Sequence, residues 1–285
     1  MREKARKCVN ASGGIGRKGS DCGHANRQWP MMNQNFRHPE ILELAAQSGK
    51  VTVEGLAQHF GVTLQTIRRD LTDLAEAGQL ERVHGGAILP SGTVNIGYAD
   101  RQILFEAEKR AMARACAALI PDGASLFLNI GTTTEAVAHA LMQHRNLMVV
   151  TNNMNVARIL TGHPDCQVIL AGGILRRADG GLTGDLTVQT IRRFKFDYAV
   201  IGCSALDSDG DLLDFDISEV GVSQAILDQA RQAILVADHS KFQRAAPARI
   251  ASLSRIDAFV TDRALSEDLA DRCEDWDTRV IVAGV

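Results

Sequence analysis

The chain has 285 residues and 31 Lys and Arg against 34 Asp and Glu, a net charge of −3; this length exceeds one small DNA-binding module and predicts two folded domains. Hydrophobic residues make up 45%, aromatic residues 5%, and Gly numbers 25, a mixture suited to strands, helices and glycine-rich connections. No run of 18 apolar residues occurs, which excludes a membrane-spanning helix.

Residues 1–31 carry seven Lys and Arg against two acidic residues, are rich in Gly and Ser, and lack the apolar run of a secretory signal. They are predicted to form a disordered basic extension. A first helix is expected from about Pro39 to Gln47, with Ile41, Leu44 and Ala45 turned inward. Val53, Leu56, Ala57 and Phe60 then recur at helical spacing, and Gly61 supplies a left-handed turn. Thr63 is placed to cap a further helix and is counted among the expected DNA-contacting residues. In that helix Ile67, Leu71 and Leu74 fall within about 60° of one another at 100° per residue. Gln65, Thr66, Arg68, Arg69 and Thr72 are left for contact with base edges and phosphates. Gly78 ends the helix, and Gly85-Gly86 allows the tight reversal of a wing that sets Arg82 and His84 beside a DNA backbone. Residues 34–89 thus read as a winged helix-turn-helix DNA-binding domain. Residues 32–90 hold only five basic against seven acidic residues, so positive charge has to be concentrated on one face by geometry.

Residues 90–104 read as a linker, because Leu89 to Asp100 lacks periodicity and holds Pro, Ser and Gly. A helical pattern resumes at Glu106–Leu119 and stops at Pro121-Asp122-Gly123. Beyond Ser125, apolar runs at 126–130, 147–151, 167–171, 198–202, 233–237, 258–261 and 279–282 alternate with helical patterns at 135–143, 155–160, 219–229 and 266–272. Such alternation predicts an α/β domain over 105–285, Rossmann-like, with a mostly parallel sheet covered on both faces. Ligands are expected in the loops beyond the carboxyl ends of its strands.

Four of those loops are chemically distinctive. Gly131-Thr132-Thr133-Thr134 opens a helix, where free amides and hydroxyls suit a phosphate. Thr151-Asn152-Asn153 ends a buried strand, as an effector contact or as an Asn turn with a helix cap. Gly172-Gly173 precedes Arg176-Arg177, and Asp238-His239-Ser240-Lys241 gathers a carboxylate, an imidazole and an ammonium. Neither a P-loop nor a dinucleotide fingerprint is present, and no cofactor is expected. The six cysteines form no C-x-x-C and have no His at metal spacing, so no metal site is expected either. Cys116, Cys166 and Cys203 read as buried hydrophobes, which fits a reducing cytoplasm.

Gln65-Thr66-Ile67-Arg68-Arg69-Asp70-Leu71, Val83-His84-Gly85-Gly86-Ala87, Ile130-Gly131-Thr132-Thr133, Thr151-Asn152-Asn153, Leu170-Ala171-Gly172-Gly173 and Asp238-His239-Ser240-Lys241-Phe242 together resemble the DeoR family of bacterial transcriptional regulators. The resemblance covers about Asn35 to Thr261. It implies a winged helix joined to a sugar-phosphate isomerase-like domain that senses a phosphorylated ligand and forms a homo-oligomer. The implied partners are double-stranded operator DNA and a phosphorylated polyol or sugar, foremost glycerol 3-phosphate; the implied action is repression relieved by that effector, without catalysis. Gly131, Thr132, Thr133, Thr134, Asn152, Asn153, Gly172, Gly173, Glu219, Asp238 and Lys241 are the expected effector residues. Two departures from the family pattern stand out: Asn129 stands where Asp is usual, and the pair Ser223-Gln224 where many members have Lys-Arg. The alternative is a sugar-phosphate isomerase or deaminase with a DNA-binding appendage, working through Asp238, His239 and Glu219.

Overall fold

The computed structural model describes residues 37–48, 50–83, 85–89 and 97–284. The basic extension at 1–31 and His84 lie outside these described residues.

The winged helix is built from α1 (Arg37–Ser48), β1 (Lys50–Thr52), α2 (Val53–Phe60), α3 (Leu64–Glu76), β2 (Glu81–Val83) and β3 (Gly86–Ile88). Ile41, Leu42 and Ala45 of α1, Val53 and Leu56 of α2, and Ile67, Leu71 and Leu74 of α3 bury one apolar face each against a common core. β3 pairs antiparallel with both β1 and β2. Gly86 sits where any side chain would strike the backbone of Val51, so a bare Cα lets the wing close on β1.

Within the expected linker, Tyr98–Ile103 form a helix, α4, followed by α5 (Glu106–Ala117). Leu104 and Phe105 between them join the core of the winged helix. α4 is one and a half turns long, too short for a hydrophobic period to announce it.

The second domain follows the predicted alternation: β4 (Ser125–Leu128), α6 (Thr132–Ala140), β5 (Leu147–Thr151), α7 (Met154–Leu160), β6 (Cys166–Leu170), β7 (Ile174–Leu175), β8 (Leu182–Thr183), α8 (Asp185–Ile191) and β9 (Phe196–Ile201). It continues with β10 (Ala205–Leu206), β11 (Asp211–Asp214), α9 (Ile217–Gln229), β12 (Ala230–Val236), β13 (Ala248–Ser252), β14 (Ala258–Thr261), α10 (Glu267–Asp275) and β15 (Arg279–Val282). Seven strands form one sheet in the order β15-β14-β12-β9-β4-β5-β6, parallel at each junction. Its middle strands are apolar because both faces are covered: Leu126, Phe127, Leu128, Ala199, Val200 and Ile201 are all fully buried.

The chain runs outward from β4 through β5 to β6, then returns to the other side of β4 at β9 and runs outward again. The strand order therefore reverses between β4 and β9, which opens a crevice at their carboxyl ends. Three features are absent from the sequence reading: α8, the β7–β8 hairpin, and a small antiparallel sheet of β10, β11 and β13. Their strands of two to five residues are too short for an alternating pattern to register. Cys116 and Cys203 are buried as expected, and burial pushes both thiols up to about 12; Cys166 is only half-buried.

Candidate DNA-reading face and effector cleft

α3 stands on a firm base. Thr63 accepts the Thr66 amide at 3.2 Å and its hydroxyl meets that of Thr66 at 2.9 Å. Gly61 takes the left-handed conformation, φ 63°, that ends α2. Asp70, fully buried, is gripped by Arg37 through Nε at 2.7 Å and Nη2 at 3.1 Å. This fork ties α3 to α1 and fixes the direction in which the other face of α3 points.

That face is solvent-exposed at Gln65, Arg68, Arg69 and Thr72. Thr72 Oγ1 donates to the Arg68 carbonyl at 2.8 Å, and Arg82 Nη1 reaches from β2 to the same carbonyl at 3.0 Å and to Thr72 Oγ1 at 3.2 Å. Arg82 therefore splints the wing to α3, and the hydroxyls of Thr63, Thr66 and Thr72 are engaged within the protein. Among the described residues, Gln65, Arg68 and Arg69 are the polar side chains of this face that make no bond of their own. His38, Asp70 and Asp73 offer ligand atoms within 4.8 Å of one another, but Arg37 already occupies the Asp70 carboxylate.

The crevice between β4 and β9 is a cleft lined by Asn129, Gly131 to Thr134, Ser204, Asp214, Glu219, Ser223 and Lys241, with Arg101 of α4 at its edge. α6 begins at Thr132, three residues earlier than the periodicity indicates, so the residues that carry its first amides, which have no partner within the helix, line the cleft. The three threonines divide their labour. Thr134 Oγ1 donates to the carbonyls of Asn129 and Gly131, both at 2.7 Å, and closes the turn. Thr132 Oγ1 donates to the Arg101 carbonyl at 3.2 Å. Thr133 lines the cleft with its hydroxyl unengaged among the described residues. Asn129 accepts the Ile130 amide at 2.7 Å and donates to Ser223 Oγ at 3.0 Å. Asn129 and Ser223 thus form a neutral hydrogen-bonded pair in the cleft.

The charges are set by burial. Desolvation lowers the Lys241 ammonium to about 8, with Arg244 adding to the effect. Burial likewise lowers Lys109 to about 8 and holds Arg101 and Arg244 below the usual guanidinium value. Burial alone would raise Asp238; the Lys241 charge and the Ser240 hydrogen bond, helped by Arg244 and Lys109, instead hold it below the ordinary carboxylate value. Asp238 also caps the short turn that carries Lys241, accepting the Ser240 amide at 3.1 Å. Glu219 faces the cleft but is ion-paired with Arg176.

Other expected effector residues stand elsewhere. Asn152 is fully buried and donates to the Leu182 carbonyl at 3.1 Å, outside the cleft lining. Asn153 caps α7 through the Asn155 amide at 2.8 Å and donates to Glu135 at 3.1 Å. Gly172 and Gly173 form the turn that α8 packs on, with Thr187 Oγ1 donating to the Gly172 carbonyl at 2.7 Å. These four positions shape the fold around the cleft rather than its surface. His239 turns away too: its Nδ1 meets Asp262 at 2.7 Å and its ring packs edge-on to Phe105 at 5.6 Å. Sequence reasoning missed Arg101, Lys109, Ser204, Asp214 and Arg244. Asp214 alone had a signal nearby, in the Asp214-Phe215-Asp216 run.

A model of the DeoR-like helix-turn-helix domain matches residues 37–93, and one of the DeoR C-terminal sensor domain matches residues 105–263. The chain is 50% identical over 231 residues to the glycerol-3-phosphate regulon repressor of Escherichia coli K12, covering 81% of this chain and 92% of that protein. The protein of the same name in Haemophilus influenzae is 47% identical over 230 residues, 81% of this chain and 90% of its own. The HTH-type transcriptional repressor CsqR of Escherichia coli K12 is 38% identical over 248 residues, 87% and 95% of the respective chains. Among solved structures, a D-ribose-5-phosphate isomerase in complex with phospho-erythronic acid aligns with 48% of this chain and 54% of its own at 17% identity and a TM-score of 0.36.

Proposed function

The chain belongs to the DeoR family of transcriptional regulators, and from that premise we propose that it is an operator-binding repressor released by glycerol 3-phosphate. The observation that carries this reading is the pairing, in one chain, of a free polar face on α3 with a polar cleft at the carboxyl ends of β4 and β9, beside the start of α6. Arg68 and Arg69 supply base or phosphate contacts, and Gln65 tunes base choice. In the cleft, the first amides of α6, the Thr133 hydroxyl and the Lys241 ammonium meet the phosphate. Asn129, Ser204, Asp214 and Ser223 face the polyol hydroxyls. A ligand that binds one state of the repressor better shifts it toward that state, and by linkage weakens its hold on DNA.

The reading assigns no catalysis: Asp238, His239 and Glu219 face different surroundings, so a carboxylate–imidazole pair does not converge on the cleft. It includes a homo-oligomer, supported by exposed apolar side chains at Leu170, Ile174, Leu175, Leu186 and Ile217 around the β6 edge and the β7–β8 hairpin. It places the protein in the cytoplasm, beside its DNA; no helix of the described residues is long and apolar enough to cross a membrane. Selection of bound genomic fragments, with and without glycerol 3-phosphate, tests it. Fragments enriched without effector are expected to be lost with it, while unphosphorylated glycerol leaves them bound. Equal release by glycerol, or turnover of a phosphorylated sugar by the protein, would overturn the reading.

A further inference from the structure

Beside the cleft lies a smaller cavity lined by Arg101, Leu104, Phe105, Lys109, Thr132, Thr133, Asp238, Ser240, Lys241 and Arg244. Arg101, Thr132, Thr133 and Lys241 border both spaces. The lining of this cavity holds four cations and one carboxylate, Asp238, while Asp214 and Glu135 also face Arg101. Asp179, which lies 3.7 Å from Arg101, is already bound by Arg176. Several donors in this cluster are idle. Arg101 Nε and Arg244 Nε and Nη1 are buried without a hydrogen-bond partner, and Lys241 Nζ makes no bond or ion pair among the described residues. Unpaired buried donors are costly, and a bound phosphate would engage them.

Arg101 differs from the other three in where its chain leads. Its carbonyl accepts from Thr132 Oγ1, at the mouth of the phosphate loop, and from Lys109 Nζ. Tyr98, one turn before it, donates to Glu135 of α6 at 2.8 Å and accepts from Asn155 of α7 at 2.8 Å. Two residues after α4 ends, Phe105 is held at φ 55°, a left-handed conformation that a bulky side chain adopts only under constraint. Leu104 and Phe105, each 3% exposed, are part of the winged-helix core. α4 is thus bonded to α6 and α7 through Tyr98 and to Thr132 through the Arg101 carbonyl, and it runs directly into Leu104 and Phe105 in the winged-helix core.

Building on the effector reading above, we propose that Arg101 is a ligand of the effector's phosphate and that α4 carries occupancy of the cleft to the winged helix. A guanidinium offers a planar fork that grips two phosphate oxygens, which the compact Lys241 ammonium does not. A phosphate seated at the first amides of α6 competes for the Thr132 hydroxyl, drawing it off the Arg101 carbonyl while turning the guanidinium inward. α4 then shifts on α6, and Leu104 and Phe105 shift with it.

Calorimetric titration with glycerol 3-phosphate and with inorganic phosphate tests the ligand role. Wild type is expected to bind both, the ester more tightly. Arg101→Gln is expected to lose at least tenfold in affinity for both, and Arg101→Lys to fall between, because charge without the fork restores part of the contact. Hydrogen exchange on the unaltered protein tests the transmission without any variant: saturating glycerol 3-phosphate is expected to change the protection of amides 98–105. Arg101→Gln binding like wild type, or amides 98–105 that ignore the ligand, would overturn this inference while leaving the effector reading intact. A wild-type protein that binds neither probe would overturn both.

Discussion

The outer face of α3 and the cleft between β4 and β9 solve opposite problems with similar side chains. On α3 the arginines stand in water, where a charge costs little, and the work goes into aiming the helix. The buried Arg37–Asp70 fork, the Thr63 cap and the Arg82 splint all serve that aim. In and beside the cleft the cations are buried, with Lys241 and Lys109 lowered to about 8 by desolvation. The first arrangement costs little to maintain in water; the second keeps its cations out of water, where an anionic ligand would find them poorly solvated. The difference suits a repressor in which DNA binding is the resting condition and effector binding the event.

The largest expected effect breaks the aiming device. Asp70→Asn leaves the Arg37 guanidinium without its carboxylate in a largely buried position, and is expected to cost about 3 kcal/mol of winged-helix stability. Thermal unfolding followed by circular dichroism measures this; an unchanged melting curve would show that the fork does not hold α3 to α1. Next comes the reading face itself. Arg69→Ala is expected to cost about 1–3 kcal/mol of specific operator binding if the contact is to a base edge. A phosphate contact would instead weaken all sequences alike and reduce the salt slope by about one. Fluorescence anisotropy with operator and scrambled duplexes separates the two, and Arg68→Ala serves as its pair. Loss in neither variant would remove α3 from the role of recognition helix.

The same contrast explains what was legible from sequence. On α3 the period of 3.6 sorts side chains into an inward set, Ile67, Leu71 and Leu74, and an outward set, so the candidate DNA-contacting residues are set apart by phase. The parallel sheet declares itself through continuous apolar strands, and the phosphate loop through Gly131 followed by three threonines at a helix start. The cationic cluster has no such signature. Arg101, Lys109, Lys241 and Arg244 come from α4, α5 and the turn after β12, and only the closed fold brings them within reach of Asp238. Asn152, Asn153, Gly172 and Gly173 mislead for the complementary reason: polar and glycine residues at strand ends also serve to cap helices and turn chains. The Asn129–Ser223 hydrogen bond likewise spans 94 positions and is invisible in either residue alone.

The most direct test is release of operator by glycerol 3-phosphate as a function of pH, for wild type and Lys241→Met. The phosphate ester becomes a full dianion above about pH 6, whereas the Lys241 ammonium, lowered to about 8, loses its proton as pH rises past that value. Wild type is therefore expected to respond best between about pH 6 and 8, and to need progressively more effector above that range. Lys241→Met, which is not on the α3 face, is expected to hold the operator without responding to the ester at any pH. A Lys241→Met protein released as readily as wild type, with the same pH dependence, would contradict the phosphate role of Lys241 and the effector site built around it.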